Sequence, residues 1–124
     1  MPSVSSTTAE RPAPAGSDTE TIGVAIIGAG ERGVYYVGSR MAELARETGF
    51  RVVCVQDRLE DRATLAARHL DGIYADAGLD HRVRVAPDLE AAVRDPAVDL
   101  VLVTTHTNAH LAPVRAAAEA GKRV

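Results

Sequence analysis

The chain has 124 residues, 46% of them hydrophobic and 25% charged, which is enough for one folded domain but not for two. A net charge of −3 and an aromatic share of 3% argue against nucleic-acid binding, which needs basic and base-stacking side chains. The apolar runs are all far shorter than the ~20 residues of a membrane-spanning helix, so we expect no membrane insertion.

The first 20 residues differ in composition from the rest of the chain. They are rich in Ser, Thr, Pro and Ala and have no apolar period, so we interpret residues 1–20 as a disordered N-terminal tail. The tail has neither the basic start nor the apolar centre of a secretory signal, which favours a cytoplasmic location. We expect one domain, at residues 21–124, with the lone Cys54 as a buried thiol among apolar neighbours.

Strands and helices are predicted to alternate along this domain. Strands are predicted at residues 22–27, 51–57, 82–86 and 98–105. Helices are predicted at residues 31–48, 59–70, 87–95 and 108–121, while residues 71–81 are mixed in character and predict turns. Gly49 and Gly121 are the expected C-caps of the first and last helix. The alternation predicts an α/β fold with a doubly wound parallel sheet, the Rossmann architecture.

A glycine motif, G-x-G-x-x-G, lies where the first predicted strand meets the first predicted helix. In this context it predicts a dinucleotide-binding turn, in which Gly28 permits the tight turn and Gly30 lets a pyrophosphate approach the backbone. Gly33 would let helix and strand pack closely, and the helix N-terminus would present N–H groups to the phosphates. The candidate cofactor-binding residues of this turn are Gly28, Ala29, Gly30, Glu31, Arg32 and Gly33.

Asp57 closes the second predicted strand, 24 residues after Gly33. An acidic residue at this place accepts hydrogen bonds from the adenosine ribose hydroxyls and repels a 2′-phosphate, which favours NAD over NADP. Arg58 beside it would stack on adenine or attract that phosphate, so NADP stays open as an alternative. Asp57 also suits the cap of the next helix, and the two roles are compatible.

The polar stretch TTHTNAH follows the fourth predicted strand. The first and fourth strands of a doubly wound sheet are neighbours, so this loop is expected to face the glycine turn across a crevice. Its candidate cofactor-binding residues are Thr105, His106, Asn108 and His110. Thr107 or Asn108 would also cap the following helix. The spacing of His106 and His110 suits a metal ion, but the loop supplies no third ligand, so we assign no metal.

Other titratable residues yield no catalytic assignment. No nucleophile with a paired base stands out, so hydrolase chemistry has no support and no catalytic residue is assigned. His69 and His81 lie among polar residues, and we predict both to be solvated at the surface.

Several segments together resemble the N-terminal domain of the Gfo/Idh/MocA family of glucose–fructose oxidoreductase, inositol dehydrogenase and rhizopine-catabolism proteins. They are VAIIGAGERG, VVCVQDR, DLEAAVRDPAVDLVLVTT, NAH and AAAEAGKRV, between Ile22 and Val124. The resemblance implies a Rossmann domain that binds NAD or NADP, with hydride transfer at a sugar or polyol carbon. Thr105, Asn108 and His110 match the family's fourth-strand loop, in which His106 replaces a proline.

The family pattern continues past GKRV into Glu-Lys-Pro, which carries a catalytic lysine, and into a substrate-binding domain. The only lysine here, Lys122, matches the residue before the fifth strand. The resemblance thus implies a Rossmann domain truncated before the end of its fifth strand, which meets a small-molecule substrate only with that second domain. The exposed edge of an unfinished sheet favours aggregation or a partner chain, such as a second copy. The alternatives are a non-catalytic dinucleotide-binding module and a non-functional truncated fragment.

Overall fold

The computed structural model describes residues 21–105 and 109–124, so the predicted tail lies outside the described residues. Within them, four parallel strands form one sheet with the order β3-β2-β1-β4. The strands are β1 (Ile22–Ile27), β2 (Phe50–Gln56), β3 (Arg84–Val85) and β4 (Leu100–Val103). The chain moves outward from β1 to β3 and then returns to β4 on the other side of β1. This is the doubly wound α/β order that the sequence predicts.

Helical segments connect the strands in the described part of the chain. They are a π-helical segment (Glu31–Gly38), α1 (Ser39–Glu43), α2 (Ala45–Thr48), α3 (Glu60–Asp76), α4 (Leu89–Val93) and α5 (Leu111–Glu119). None of these helices is long and apolar enough to cross a membrane.

The first helix differs from the single element predicted over residues 31–48. It begins as a π-helix and is interrupted at Leu44, whose φ of −100° and ψ of 16° are not helical. A Cβ at Gly38 would lie 3.1 Å from the Ile26 side chain, so the glycine lets the segment approach β1 closely. Glycine also lowers the stability of an α-helix, which permits the wider turns of the π-helix. Gly49 ends α2 in the left-handed conformation, as predicted, with φ 80°.

Helix α3 is longer than predicted, because residues 71–76 are helical rather than turn-like. The prediction of turns was wrong because Asp71 and Gly72 lower the local helix propensity, whereas tertiary packing decides the outcome. Tyr74 is fully buried against the sheet, and its hydroxyl accepts the Val52 N–H at 2.8 Å. The packing of Tyr74 against β2 therefore stabilises the helix beyond residue 70.

Two histidines make contacts that their sequence neighbours do not reveal. His81 is half-buried, with Nε2 2.7 Å from the Val52 carbonyl and its ring 4.5 Å from that of Tyr74. His69 is exposed, but its Nε2 lies 2.8 Å from the Ser39 hydroxyl. The prediction of a solvated residue was wrong for His81 and incomplete for His69, because their partners come from other elements of the fold.

Alternate residues of β1 point to opposite faces of the sheet, and a separate core covers each face. Val24 and Ile26 pack with Leu70 and Tyr74 on one face. On the other face the core contains Ala25, Ile27, Cys54, Val98 and Val101. Cys54 is buried as predicted, and burial raises the pKa of its thiol to about 11, with a smaller contribution from the Asp95 carboxylate.

The last residues extend the sheet beyond β4. The Val101 N–H donates to the Arg123 carbonyl at 2.7 Å, and the Arg123 N–H donates to the Asp99 carbonyl at 3.2 Å. Leu100 and Arg123 thereby form a parallel bridge. Arg123 lies where a fifth strand of a doubly wound sheet would begin, at the outer edge of β4.

Candidate functional site

The carboxyl ends of β1, β2 and β4 meet at one edge of the sheet, where the turn after β1 is held from both sides. The Gly28 N–H donates to the Gln56 carbonyl at the end of β2, at 2.8 Å. On the other side, the Thr104 N–H donates to the Ile27 carbonyl at 2.8 Å, and the Thr104 hydroxyl donates to the Gly28 carbonyl at 2.9 Å. The turn thus lies at the point where the strand order reverses, which is where open α/β sheets bind ligands.

Two glycines of the motif are required by the packing of this turn. Gly28 has a φ of 102°, and a Cβ there would lie 2.8 Å from the Thr104 carbonyl. A Cβ at Gly33 would lie 2.0 Å from the Thr104 hydroxyl oxygen and 2.9 Å from the Gly28 carbonyl oxygen. A side chain at either position would therefore force neighbouring atoms to move, whether or not a ligand is bound.

Gly30 differs from these two glycines because the protein itself leaves space for a side chain there. A Cβ would meet no atom within 4 Å, and the φ of −87° suits any residue. Gly30 lines a groove of about 580 Å³. The first N–H groups of the π-helical segment also lack intrahelical acceptors by helix geometry, and they carry the positive end of the helix dipole. The open glycine and these N–H groups fit a pyrophosphate that approaches the backbone.

Asp57 is the only acidic residue at the end of β2 and is nearly buried, with a side-chain exposure of 8%. One carboxylate oxygen accepts the Ala29 N–H at 2.8 Å and the other accepts the Leu59 N–H at 2.9 Å. Asp57 thus joins the glycine turn to the residue before α3. The prediction that Asp57 caps this helix was wrong, because the N-cap is Leu59 and no side chain caps it. Each oxygen keeps a further lone pair for another donor, such as a ribose hydroxyl.

The other predicted residues of the turn have different surroundings. Ala29 is buried, and its N–H is already committed to Asp57. Glu31 lies exposed at the start of the π-helical segment, where a carboxylate interacts favourably with the helix dipole. Arg32 and Arg58 are also exposed. The predicted cofactor contacts of these four residues stay predictions.

Thr105 and His110 meet at the base of the loop after β4. His110 Nε2 lies 2.7 Å from the Thr105 carbonyl oxygen, and the Thr105 hydroxyl donates to the Ala109 carbonyl at 3.1 Å. His106 and Asn108 lie outside the described residues, as does Thr107. Across residues 21–105 and 109–124, no group of three or more potential metal ligands is assembled.

Two residues at this edge of the sheet were not singled out from the sequence. Thr104 binds the glycine turn through its hydroxyl, as described above. Arg62 lines the groove beside Gly30, and its Nη1 lies 3.8 Å from the Asp57 carboxylate. The sequence does contain a signal for Arg62. It is a basic residue in the first turn of the helix that follows β2 and Asp57.

Comparisons with known proteins give a consistent assignment. Residues 22–124 match the family model GFO_IDH_MocA, described as an oxidoreductase family with an NAD-binding Rossmann fold. Scyllo-inositol 2-dehydrogenase (NAD(+)) of Bacillus subtilis (strain 168) is 30% identical over 100 residues, which are 81% of this chain and 25% of that protein.

Solved structures agree with that match. Myo-inositol dehydrogenase from Lactobacillus casei, in complex with NAD(H) and myo-inositol, is 28% identical with a TM-score of 0.63, over 82% of this chain and 26% of that one. Biliverdin reductase from Synechocystis sp. PCC 6803, in complex with biliverdin and NADP+, is 27% identical with a TM-score of 0.60, over 82% of this chain and 27% of that one. The chain spans about a quarter of the length of these relatives.

Proposed function

The chain belongs to the Gfo/Idh/MocA family of oxidoreductases and is its NAD-binding Rossmann domain, and from this premise we propose that it provides the cofactor-binding part of a dehydrogenase. The reaction that we propose is hydride transfer between a nicotinamide cofactor and a sugar or polyol-like substrate. The inositol dehydrogenases of Bacillus subtilis and Lactobacillus casei described above favour this substrate class. A bound nicotinamide would supply the hydride acceptor or donor.

The observation that carries the proposal is the joint position of Asp57 and Gly30. Asp57 holds the turn through the Ala29 N–H, and Gly30 leaves the backbone open on the groove side. We propose that Asp57 accepts the adenosine ribose hydroxyls while the backbone at Gly30 and the first N–H groups of the π-helical segment receive the pyrophosphate. A carboxylate at the ribose favours NAD, and NADP stays the second cofactor.

At the other end of the crevice, we propose that the loop after β4 contacts the nicotinamide half. The contact of 2.7 Å between His110 Nε2 and the Thr105 carbonyl oxygen would shape the base of this loop. His106 and Asn108 belong to the same proposal through the sequence pattern alone. The side chains of Glu31, Arg32 and Arg58 would border the phosphates and the adenosine.

We further propose that the polypeptide of 124 residues does not turn over substrate by itself. Its only lysine, Lys122, donates to the carbonyl groups of Asp95 and Val98, near the amino end of β4 and opposite to the glycine turn. A small-molecule substrate would be held only together with a further, C-terminal domain. A cytoplasmic location and association with a second copy belong to the same proposal.

The experiment that tests cofactor binding is calorimetric titration of NAD+ into the full chain and its Gly30→Val variant. A Cβ at this position meets no protein atom within 4 Å and borders the groove, so we expect the valine to raise the Kd at least about tenfold with little change in the melting temperature. Gly72→Val is the matched control, because Gly72 also has open space around its Cβ but lies on α3. Equal affinity in the two variants, or no binding by the wild type, would contradict the proposal.

A further inference from the structure

Arg62 is the basic side chain among the described residues that line the groove beside the glycine turn. The groove is bordered by Ala29, Gly30, Glu31, Tyr35 and Arg62. Arg62 lies in the first turn of α3, and its side chain is 50% exposed. Its guanidinium group is therefore both close to the site and accessible to a ligand.

The position of Arg62 relative to Asp57 bears on which adenosine ribose the site accepts. Arg62 Nη1 lies 3.8 Å from Asp57 Oδ2, which is longer than a hydrogen bond. If the ribose hydroxyls bind Asp57, a phosphate on the 2′-oxygen falls within reach of this guanidinium. The planar guanidinium has donors arranged to bind phosphate oxygens in pairs.

The charge of Asp57 is also partly offset in this arrangement. Its two oxygens accept the Ala29 and Leu59 N–H groups, and the positive charge of Arg62 is adjacent. The repulsion between the carboxylate and a 2′-phosphate is therefore weaker than for an isolated Asp. Arg58 was the residue that the sequence suggested for this role, but Arg58 does not border the groove.

We propose that Arg62 binds the 2′-phosphate of NADP and makes this site accept NADP as well as NAD. The proposal rests on the proposed function, since it assumes that the ribose lies at Asp57. Arg62 then determines cofactor specificity, whereas Asp57 positions the ribose of either cofactor.

The test is titration of NAD+ and NADP+ into the full chain, the Arg62→Met variant and the Arg62→Lys variant. The methionine keeps the apolar stem without the charge, and an exposed ion pair at this distance contributes little to stability. We expect Arg62→Met to raise the Kd for NADP+ at least about tenfold and the Kd for NAD+ less than about threefold. Arg62→Lys should retain part of the affinity for NADP+, because it keeps the charge.

Arg68→Met is the matched control, since it removes the same charge from an exposed position of α3 that does not border the groove. Wild type that binds NAD+ but not NADP+ would overturn the role of Arg62 and leave the proposed function intact. An equal loss in Arg62→Met and Arg68→Met, or an equal loss for both cofactors, would also overturn it. Wild type that binds neither cofactor would refute the proposed function itself.

Discussion

The Asp57 carboxylate accepts the Ala29 N–H at 2.8 Å, across 28 residues of sequence. This hydrogen bond joins the end of β2 to the glycine turn that follows β1. The side chain that we propose to bind ribose therefore also shapes the turn that receives the pyrophosphate. A substitution of Asp57 should alter both the stability of the fold and the affinity for the cofactor.

Asp57→Ala removes the acceptor of two main-chain N–H groups, those of Ala29 and Leu59. We expect the free energy of unfolding to fall by about 1–3 kcal/mol, because a donor left without a partner loses its hydration and its hydrogen bond. Asp57→Asn keeps one carbonyl acceptor and should cost less. Urea denaturation of both variants measures the difference, and wild-type stability in Asp57→Ala would contradict the structural role.

Gly33→Ala introduces a Cβ that would lie 2.0 Å from the Thr104 hydroxyl oxygen. We expect a loss of stability of about 1–3 kcal/mol, because the π-helical segment must move away from the end of β4. Gly72→Ala is the control, since its Cβ lies in open space on α3, and it should stabilise the protein by about 0.5–1 kcal/mol. Thermal unfolding distinguishes the two, and similar melting temperatures would refute the close packing at Gly33.

Tyr74→Phe removes the hydroxyl that accepts the Val52 N–H at 2.8 Å in the interior. The unpaired N–H should lower the free energy of unfolding by about 1–3 kcal/mol. Tyr36→Phe is a matched control, because Tyr36 is 69% exposed, and it should change stability by less than about 0.5 kcal/mol. Equal effects of the two substitutions in denaturant titrations would show that the buried hydrogen bond is not formed.

The buried Cys54 predicts a dependence of stability on alkaline pH. Burial raises the pKa of its thiol from 9.0 to about 11, so the folded state holds this proton more tightly than the unfolded state. The resulting stability is complete below about pH 9 and is lost as the pH rises toward about 11. Burial raises the pKa of Tyr74 as well, which adds to the same trend.

Unfolding by guanidinium chloride, measured at several pH values between 8 and 11, tests this dependence, with Cys54→Ala as the comparison. The variant should lose less stability than the wild type over this interval, because it lacks the titrating thiol. The thiol should also react slowly with alkylating reagents at pH 8 until the protein unfolds. Parallel pH profiles of variant and wild type, or rapid alkylation of the folded protein, would contradict the buried thiol.

Local patterns in the sequence were sufficient to predict the main elements and part of the candidate site. The apolar runs predict the parallel strands, because a strand buried on both faces needs apolar residues at successive positions. The spacing of Gly28, Gly30 and Gly33 at a strand–helix junction predicts the turn, and the place of Asp57 at the end of the next strand follows from the same order. These features depend on residues close together in sequence, so the sequence alone determined them.

Contacts between distant residues were decided only by the tertiary structure. The Thr104 hydroxyl meets the Gly28 carbonyl across 76 residues, and Tyr74 reaches Val52 across 22. The second contact lies in the part of α3, residues 71–76, that was predicted as turns, and it favours the helix there against the local propensity of Asp71 and Gly72. The position of Arg62 beside Gly30 likewise depends on how α3 packs next to the glycine turn. The crossover connections between the parallel strands bring these residues together, and local sequence patterns do not predict which side chains then come into contact.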